Sequence, residues 1–252
     1  SPFAFVLLLP YSESLFLLMI SLLFIFIRKR QWMWAGLSGA MATLTRQQGL
    51  FLAVPLMIAL AVDAEWEVRH IRDHWLDWIS ILFIPLAYAG WIAYRAFALG
   101  DLQPDFGSVQ EFVYSVLISP SAVKVVPVQT FTWPWKAMAV AIRKVLTAPD
   151  GDIWLNLIYA GLFLVFTRMA WRKLRLESRV YTALIILLSF SYSTGPIHPY
   201  MGLVRHLLLA LPVFVGLGKA VASKPRRMIL IGSGVVGQMV LVMAFVLHIW
   251  VP

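Results

Sequence analysis

Long apolar runs alternate with short charged clusters along this chain. The continuous runs occupy 13–27, 79–97, 153–167, 180–194, 203–218 and 228–250. A helix rises about 1.5 Å per residue and a bilayer's hydrocarbon core is about 30 Å thick, so runs approaching that length predict membrane-spanning helices. The expected fold class is all-α: a polytopic membrane protein with about six transmembrane helices, a re-entrant pair of half-helices and interfacial helices. The whole of 1–252 reads as one transmembrane domain.

The charged clusters orient the runs. Arg28-Lys29-Arg30, the Arg69/Arg72 segment, Arg168 to Arg179 and Lys219 to Arg227 all fall between apolar runs. Basic residues collect on the cytoplasmic side of membrane proteins. Placing all four clusters there leaves the residues before Glu13, the stretch 98–150 and the segment 191–202 outside. Arg28-Lys29-Arg30 and Arg69/Arg72 can share a side only if the chain between them enters and returns. Its two apolar halves, Trp32–Leu44 and Leu50–Val62, have 13 residues each, roughly 20 Å at 1.5 Å per residue. Two half-helices meeting at Thr45-Arg46-Gln47-Gln48-Gly49 satisfy both length and charge. Polar groups at that depth must face an enclosed or wet cavity.

Two segments lie along the membrane surface in this reading. Residues 63–78 place Val68, Ile71, Trp75 and Trp78 on one helical face and Glu67, Arg69, Asp73 and Asp77 away from it. The external loop 98–150 carries Asp101, Asp105 and Glu111, then Trp133-Pro134-Trp135 and a basic amphipathic helix with Lys136, Arg143 and Lys144. These are read as an interfacial anchor. The opening apolar stretch, Pro2 to Leu9, is too short to span, and the chain reads as starting inside a helix with an N-terminal part upstream.

Composition agrees with the pattern. The 252 residues are 61% hydrophobic and 13% charged, with mean hydropathy +0.81, whereas a soluble domain carries about 25% charged residues. The net charge of +9 would suit nucleic acid, but the basic residues sit at helix ends, so membrane lipid is the expected partner and nucleic acid is not. With no cysteine, disulfides, thiolate metal sites and cysteine nucleophiles are excluded. The five histidines have no metal-ligand spacing. No cofactor is called for, and a requirement for a divalent metal is left open.

Three places carry candidate chemistry. In Pro10-Tyr11-Ser12-Glu13-Ser14, Ser12 can cap a helix and Glu13 complements its positive end; equally, Tyr11, Ser12 and Glu13 offer sugar hydroxyls a polar, anionic rim. Arg46 at membrane depth would cost about 2.5–3.5 kcal/mol unless paired or hydrated. Its planar guanidinium suits a phosphate or carboxylate, with Gln47 and Gln48 adding hydrogen bonds; the plainer alternative is a snorkelling side chain. The external segment from Ser191 through His198 and Tyr200 to Arg205-His206 combines polar and aromatic groups, with Arg205 able to hold a lipid phosphate. Tyr192 and Tyr200 read as an interfacial belt. Gly232-Ser233-Gly234 with Gly237 looks like a dinucleotide loop but follows no strand, and is read as close helix packing.

These residues together resemble the PIG-V-like mannosyltransferases, relatives of the second mannosyltransferase of GPI-anchor assembly, within the multispanning GT-C class. The match is carried by Pro10-Tyr11-Ser12-Glu13-Ser14, by Ala35-Gly36-Leu37-Ser38-Gly39 running into Thr45-Arg46 and Gly49, and by Arg205 before an apolar stretch with Pro212. The resemblance implies the C-terminal portion of such an enzyme. It would transfer mannose from a polyprenyl-phosphate-linked sugar to a glycolipid or glycan acceptor on the extracytoplasmic or lumenal face, with inversion. It places the key acidic residue upstream of Ser1, leaving the catalytic base unassigned and Glu13 as a substitute candidate. Tyr11, Ser12, Glu13, Arg46, Gln47, His198, Arg205 and His206 are the implied substrate-binding residues. Gln47 stands where proline is common in such proteins, and His206 where an aromatic residue often follows the arginine. The membrane would be a bacterial plasma membrane, or the endoplasmic reticulum in a eukaryote. The rival readings are a transporter or flippase for a lipid-linked precursor and a noncatalytic assembly subunit.

Overall fold

The computed structural model describes residues 4, 12–67, 72–98, 130–147, 151–193, 200, 202–221 and 223–246. Their regular elements are helices apart from one two-residue strand pair. In chain order the elements are α1 (Glu13–Arg28), α2 (Trp32–Thr45), a 3-10 helix (Gln47–Leu52), α3 (Ala53–Asp63), α4 (Trp75–Ala98), β1 (Thr130–Phe131), α5 (Pro134–Thr147), α6 (Gly151–Trp171), α7 (Leu176–Ser191), β2 (Tyr192–Ser193), α8 (Leu203–Leu207), α9 (Leu211–Ala220) and α10 (Lys224–Val246).

Three of these helices are long and apolar enough to cross a membrane: Trp75–Arg95, Ile153–Trp171 and Lys224–Met243. They match the runs expected at 79–97, 153–167 and 228–250, and the chain is an all-helical membrane protein. The described helices do not carry the full count of six. At 16 residues each, α1 and α7 reach only about 24 Å. The run at 203–218 is not one helix. Pro212 has no N–H to give and crowds the carbonyl one turn back, so the helix stops at Leu207 and restarts at Leu211 with proline in its first turn. Ala210, at φ −75° and ψ 55°, makes the break.

The chain divides into two compact units, one of Ser14–Ala122 with Leu176–Tyr181 and the other of Ser1–Glu13, Val123–Arg175 and Thr182–Pro252. The first is built on a helical hairpin. Its α2 descends to Arg46, the chain turns through the 3-10 helix, and α3 returns, so that Arg30 just before α2 meets Asp63 at the end of α3 at 3.0 Å. Entry and return are therefore at one end, as the charge pattern requires. Both mouths are closed by the same cap. Gln31 N–H reaches the Phe26 carbonyl and Arg30 N–H the Ile27 carbonyl, while Trp66 N–H reaches Ala61 and Glu65 N–H reaches Val62. This Schellman pattern puts one residue in the left-handed region, a place usually held by glycine. Here Arg30 (φ 55°) and Glu65 (φ 52°) take it.

Small residues let the hairpin pack. A methyl group on Gly36 would overlap the Ser80 carbonyl of α4, and one on Gly39 would press on Ile84 and Leu23. At the tip, a Gly49 side chain would strike the Thr43 backbone. In lipid, helices associate through such close approach rather than by escaping water. The Ala35–Gly39 motif is thus a helix-crossing surface. Fully buried Phe16, Ile20, Leu23, Leu52, Leu56, Ile84 and Tyr181 fill the space around it.

In the second unit, Gly216 of α9 sits against Ala170 and Leu174, and Phe163 and Phe214 rings lie 6.0 Å apart. Phe163, Ile185, Leu203, Leu207, Leu209 and Val213 are its buried core. The surface helix α5 buries Ala137, Ala141 and Val145 on one stripe and exposes Ile142 and Leu146. Gly232 and Gly234 on α10 face open space, so the close packing expected there is absent among the described residues.

Candidate functional site

The site in the second unit is assembled from the start of α1, the end of α7 and the short helix α8. Glu13 is the first residue of α1 and is 1% exposed. Its Oε1 lies 3.2 Å from Nε of Arg205, whose side chain is 22% exposed. Arg205 is aimed by its own helix start: Gly202, at φ +76°, caps α8 and lets the guanidinium fold back within 3.6 Å of where a Cβ would stand. A guanidinium this close to a buried carboxylate forms an ion pair in a low-dielectric setting.

Around this pair lies an aromatic wall. His206 is buried, donates its N–H to the Gly202 carbonyl, and meets the Tyr192 ring edge-on at 5.6 Å. Tyr192 belongs to β2, whose partner β1 pairs Thr130 with Ser193 and Phe131 with Tyr192. Thr132 N–H continues the ladder to the Ser191 carbonyl at 2.8 Å. This pairing brings Thr130 and Phe131 to the site. The stacked, exposed rings of Trp133 and Trp135, 4.9 Å apart, follow immediately. The Tyr200 hydroxyl donates to the Phe190 carbonyl at 3.2 Å. Burial pushes that phenol up to about 12, so it remains a neutral donor through the physiological range.

The unit is polar in its charges. Gly216 against Ala170 and Leu174, with a groove lined by Met169, Ala220, Val221 and Arg226, gathers the basic residues of 168–175 and 219–227 at one end. Glu13, Arg205 and Tyr192 belong to the helix ends opposite. That arrangement follows the inside-positive distribution expected of a membrane protein.

Among the expected site residues, the structure brings Glu13, Arg205 and His206 together, with Ser12 exposed beside Glu13. Tyr11 and His198 lie outside the described residues. Arg46 and Gln47 belong to the other unit. There Arg46 breaks the hairpin in an extended conformation (φ −151°, ψ 138°), is half-buried, and donates from Nε to Gln48 Oε1 at 3.1 Å. Its carbonyl accepts the Gly49 N–H at 2.8 Å. Gln47, also half-buried, opens the 3-10 helix.

The β1–β2 pairing had no sequence signal, since two-residue strands have no periodicity. Glu13 and Arg205 each had a signal, a charged side chain at the end of an apolar helix, but nothing in the sequence paired them. Among the described residues no three His, Asp or Glu side chains converge to hold a metal ion. The chain matches no protein-family model, no curated protein and no solved structure.

Proposed function

We propose that the chain belongs to a membrane glycosyltransferase of the PIG-V-like kind, which transfers mannose from a polyprenyl-phosphate donor to a glycolipid or glycan acceptor on the extracytoplasmic or lumenal face. The observation that carries this reading is the meeting of Glu13 and Arg205 at 3.2 Å. They lie 192 positions apart and come from two of the three motifs on which the resemblance rests. In this reading about six crossings are completed by α1, α7 and the interrupted α8–α9 segment, in a bacterial plasma membrane or the endoplasmic reticulum.

The chemistry is a displacement. The acceptor hydroxyl oxygen attacks the anomeric carbon, the bond from that carbon to the phosphate oxygen breaks, and the lipid phosphate leaves with the electron pair. A general base takes the hydroxyl proton. Arg205 stabilises the departing phosphate. Glu13, with one oxygen engaged by Arg205, positions that guanidinium rather than acting as the base. Tyr192 and the Trp133–Trp135 stack offer aromatic faces to a sugar.

A second reading has an observation of its own. An interrupted apolar segment occurs in each unit, at Arg46 in one and at Ala210 in the other. Paired broken helices are a mark of transporters, and a flippase for a lipid-linked precursor would use them.

Membranes containing the whole protein, supplied with radiolabelled polyprenyl-phosphate mannose, separate the two. Transfer to endogenous acceptor that drops at least 100-fold in Arg205→Ala, and partly returns in Arg205→Lys at equal expression, supports the transferase. Labelled carrier that crosses the bilayer without transfer supports the flippase. Full transfer by Arg205→Ala ends the assigned role of the pair.

A further inference from the structure

The first unit holds a hollow of its own. It lies where the mouth of the α2–α3 hairpin meets the first turn of α4, and has a volume of about 280 Å³. Arg30, Trp32, Asp63, His74, Asp77 and Trp78 supply its chemistry, with Leu60 and Ala64 below. Ligand pockets for drug-sized molecules run from about 300 to 1,000 Å³, so this one suits a group smaller than a sugar nucleotide.

Its charges are specific. Arg30 and Asp63 offset each other at 3.0 Å, and Asp77 adds a second carboxylate to the lining. Two indoles accompany that second carboxylate: Trp32 is buried and Trp78 half-buried. Carboxylate plus tryptophan faces is the recognition chemistry of an ammonium group. At the rim, the Arg30 side chain is 75% exposed and can contact an anion without leaving Asp63, since a guanidinium has five donors.

Depth then selects the source of such a zwitterion. The hollow is lined by residues at the first turn of the candidate span Trp75–Arg95. The exposed indoles of Trp66, just past the end of α3, and Trp75, the first residue of α4, are the residue type that favours headgroup depth. The local backbone also commits the site: the left-handed residues Arg30 and Glu65 close the two mouths of the hairpin that frame it.

We propose that this hollow binds the headgroup of an amine-bearing zwitterionic phospholipid, with the ammonium held by Asp77, Asp63 and the Trp32 and Trp78 indoles and the phosphate on Arg30. The inference is independent of the sugar-transfer reading and stands or falls separately.

The test uses the purified whole protein in detergent, titrated with dioleoyl phosphatidylethanolamine or dioleoyl phosphatidylglycerol and read by native mass spectrometry as bound lipid. Wild type should prefer the ethanolamine lipid at least fivefold. Asp77→Asn should abolish that preference and Trp78→Leu weaken it, while Asp73→Asn, an exposed carboxylate outside the hollow, should leave it unchanged. Trp78→Leu touches neither charge and so keeps the test alive should Asp77→Asn fail to fold. Equal binding of the two lipids by wild type overturns the proposal, as does an undiminished preference in both hollow variants. Displacement of the lipid by equimolar free phosphoethanolamine overturns the lipid as occupant.

Discussion

Removing Arg205 while Glu13 stays in place takes a guanidinium away from a carboxylate that is 1% exposed. At 3.2 Å and an effective dielectric near 20, two unit charges attract by about 5 kcal/mol. Desolvation opposes that gain, so the net worth of the pair is smaller than the cost of halving it. Breaking one partner of a buried pair typically costs about 3–5 kcal/mol, whereas replacing both by apolar groups is often neutral. We therefore expect Arg205→Leu to lose about 3 kcal/mol or more, and Glu13→Leu/Arg205→Leu to recover most of it. The assay is reversible unfolding of the purified protein in mixed micelles with increasing denaturing detergent, run as a double-mutant cycle with Glu13→Leu. A coupling energy of about 2 kcal/mol or more is expected. A coupling below about 0.5 kcal/mol, the level of an exposed ion pair, would refute the buried geometry and the positioning role built on it.

Two further outcomes follow from the packing. Gly36→Ala should destabilise by about 1–3 kcal/mol because its methyl group meets the Ser80 carbonyl, whereas Gly90→Ala on α4, with open space around it, should stabilise by about 0.5–1 kcal/mol; thermal unfolding in detergent checks both, and equal effects would dismiss the close α2–α4 crossing. Glu65→Gly should stabilise by about 0.5–1 kcal/mol, because glycine takes the left-handed cap position (φ 52°) without a Cβ penalty, and a lowered melting temperature would show that the Glu65 side chain makes up for its backbone.

The large features of the fold were legible because they follow from length and charge. The α2–α3 hairpin came from two runs too short to cross and two basic clusters obliged to share a side, and Arg30 against Asp63 is the geometric expression of that argument. The runs at 79–97 and 153–167 became helices for the same reason. The run at 203–218 misled because hydropathy is blind to a missing N–H: Pro212 counts as apolar in a window but ends a hydrogen-bond ladder. Glycines on α10 were read as a packing surface, yet spacing alone does not supply a neighbour. At the site, the candidate residues were individually visible from their charge and position. Their association was not, because Glu13 and Arg205 are joined by tertiary approach and Tyr192 by a ladder of only two strand pairs.

The separation of Glu13 from Arg205 also has a consequence for how the protein is made. Synthesis at roughly 5–20 residues per second leaves about 10–40 s between the emergence of one and the other. Throughout that interval the carboxylate at the head of α1 has no Arg205 guanidinium beside it, so water at the surface of the bilayer must solvate it. Glu13 can sink to its final depth only when α8 arrives, which makes the candidate site among the last parts of the molecule to mature. Nascent chains arrested before Arg205 would keep that helix end open to water, a difference that quality-control machinery can read.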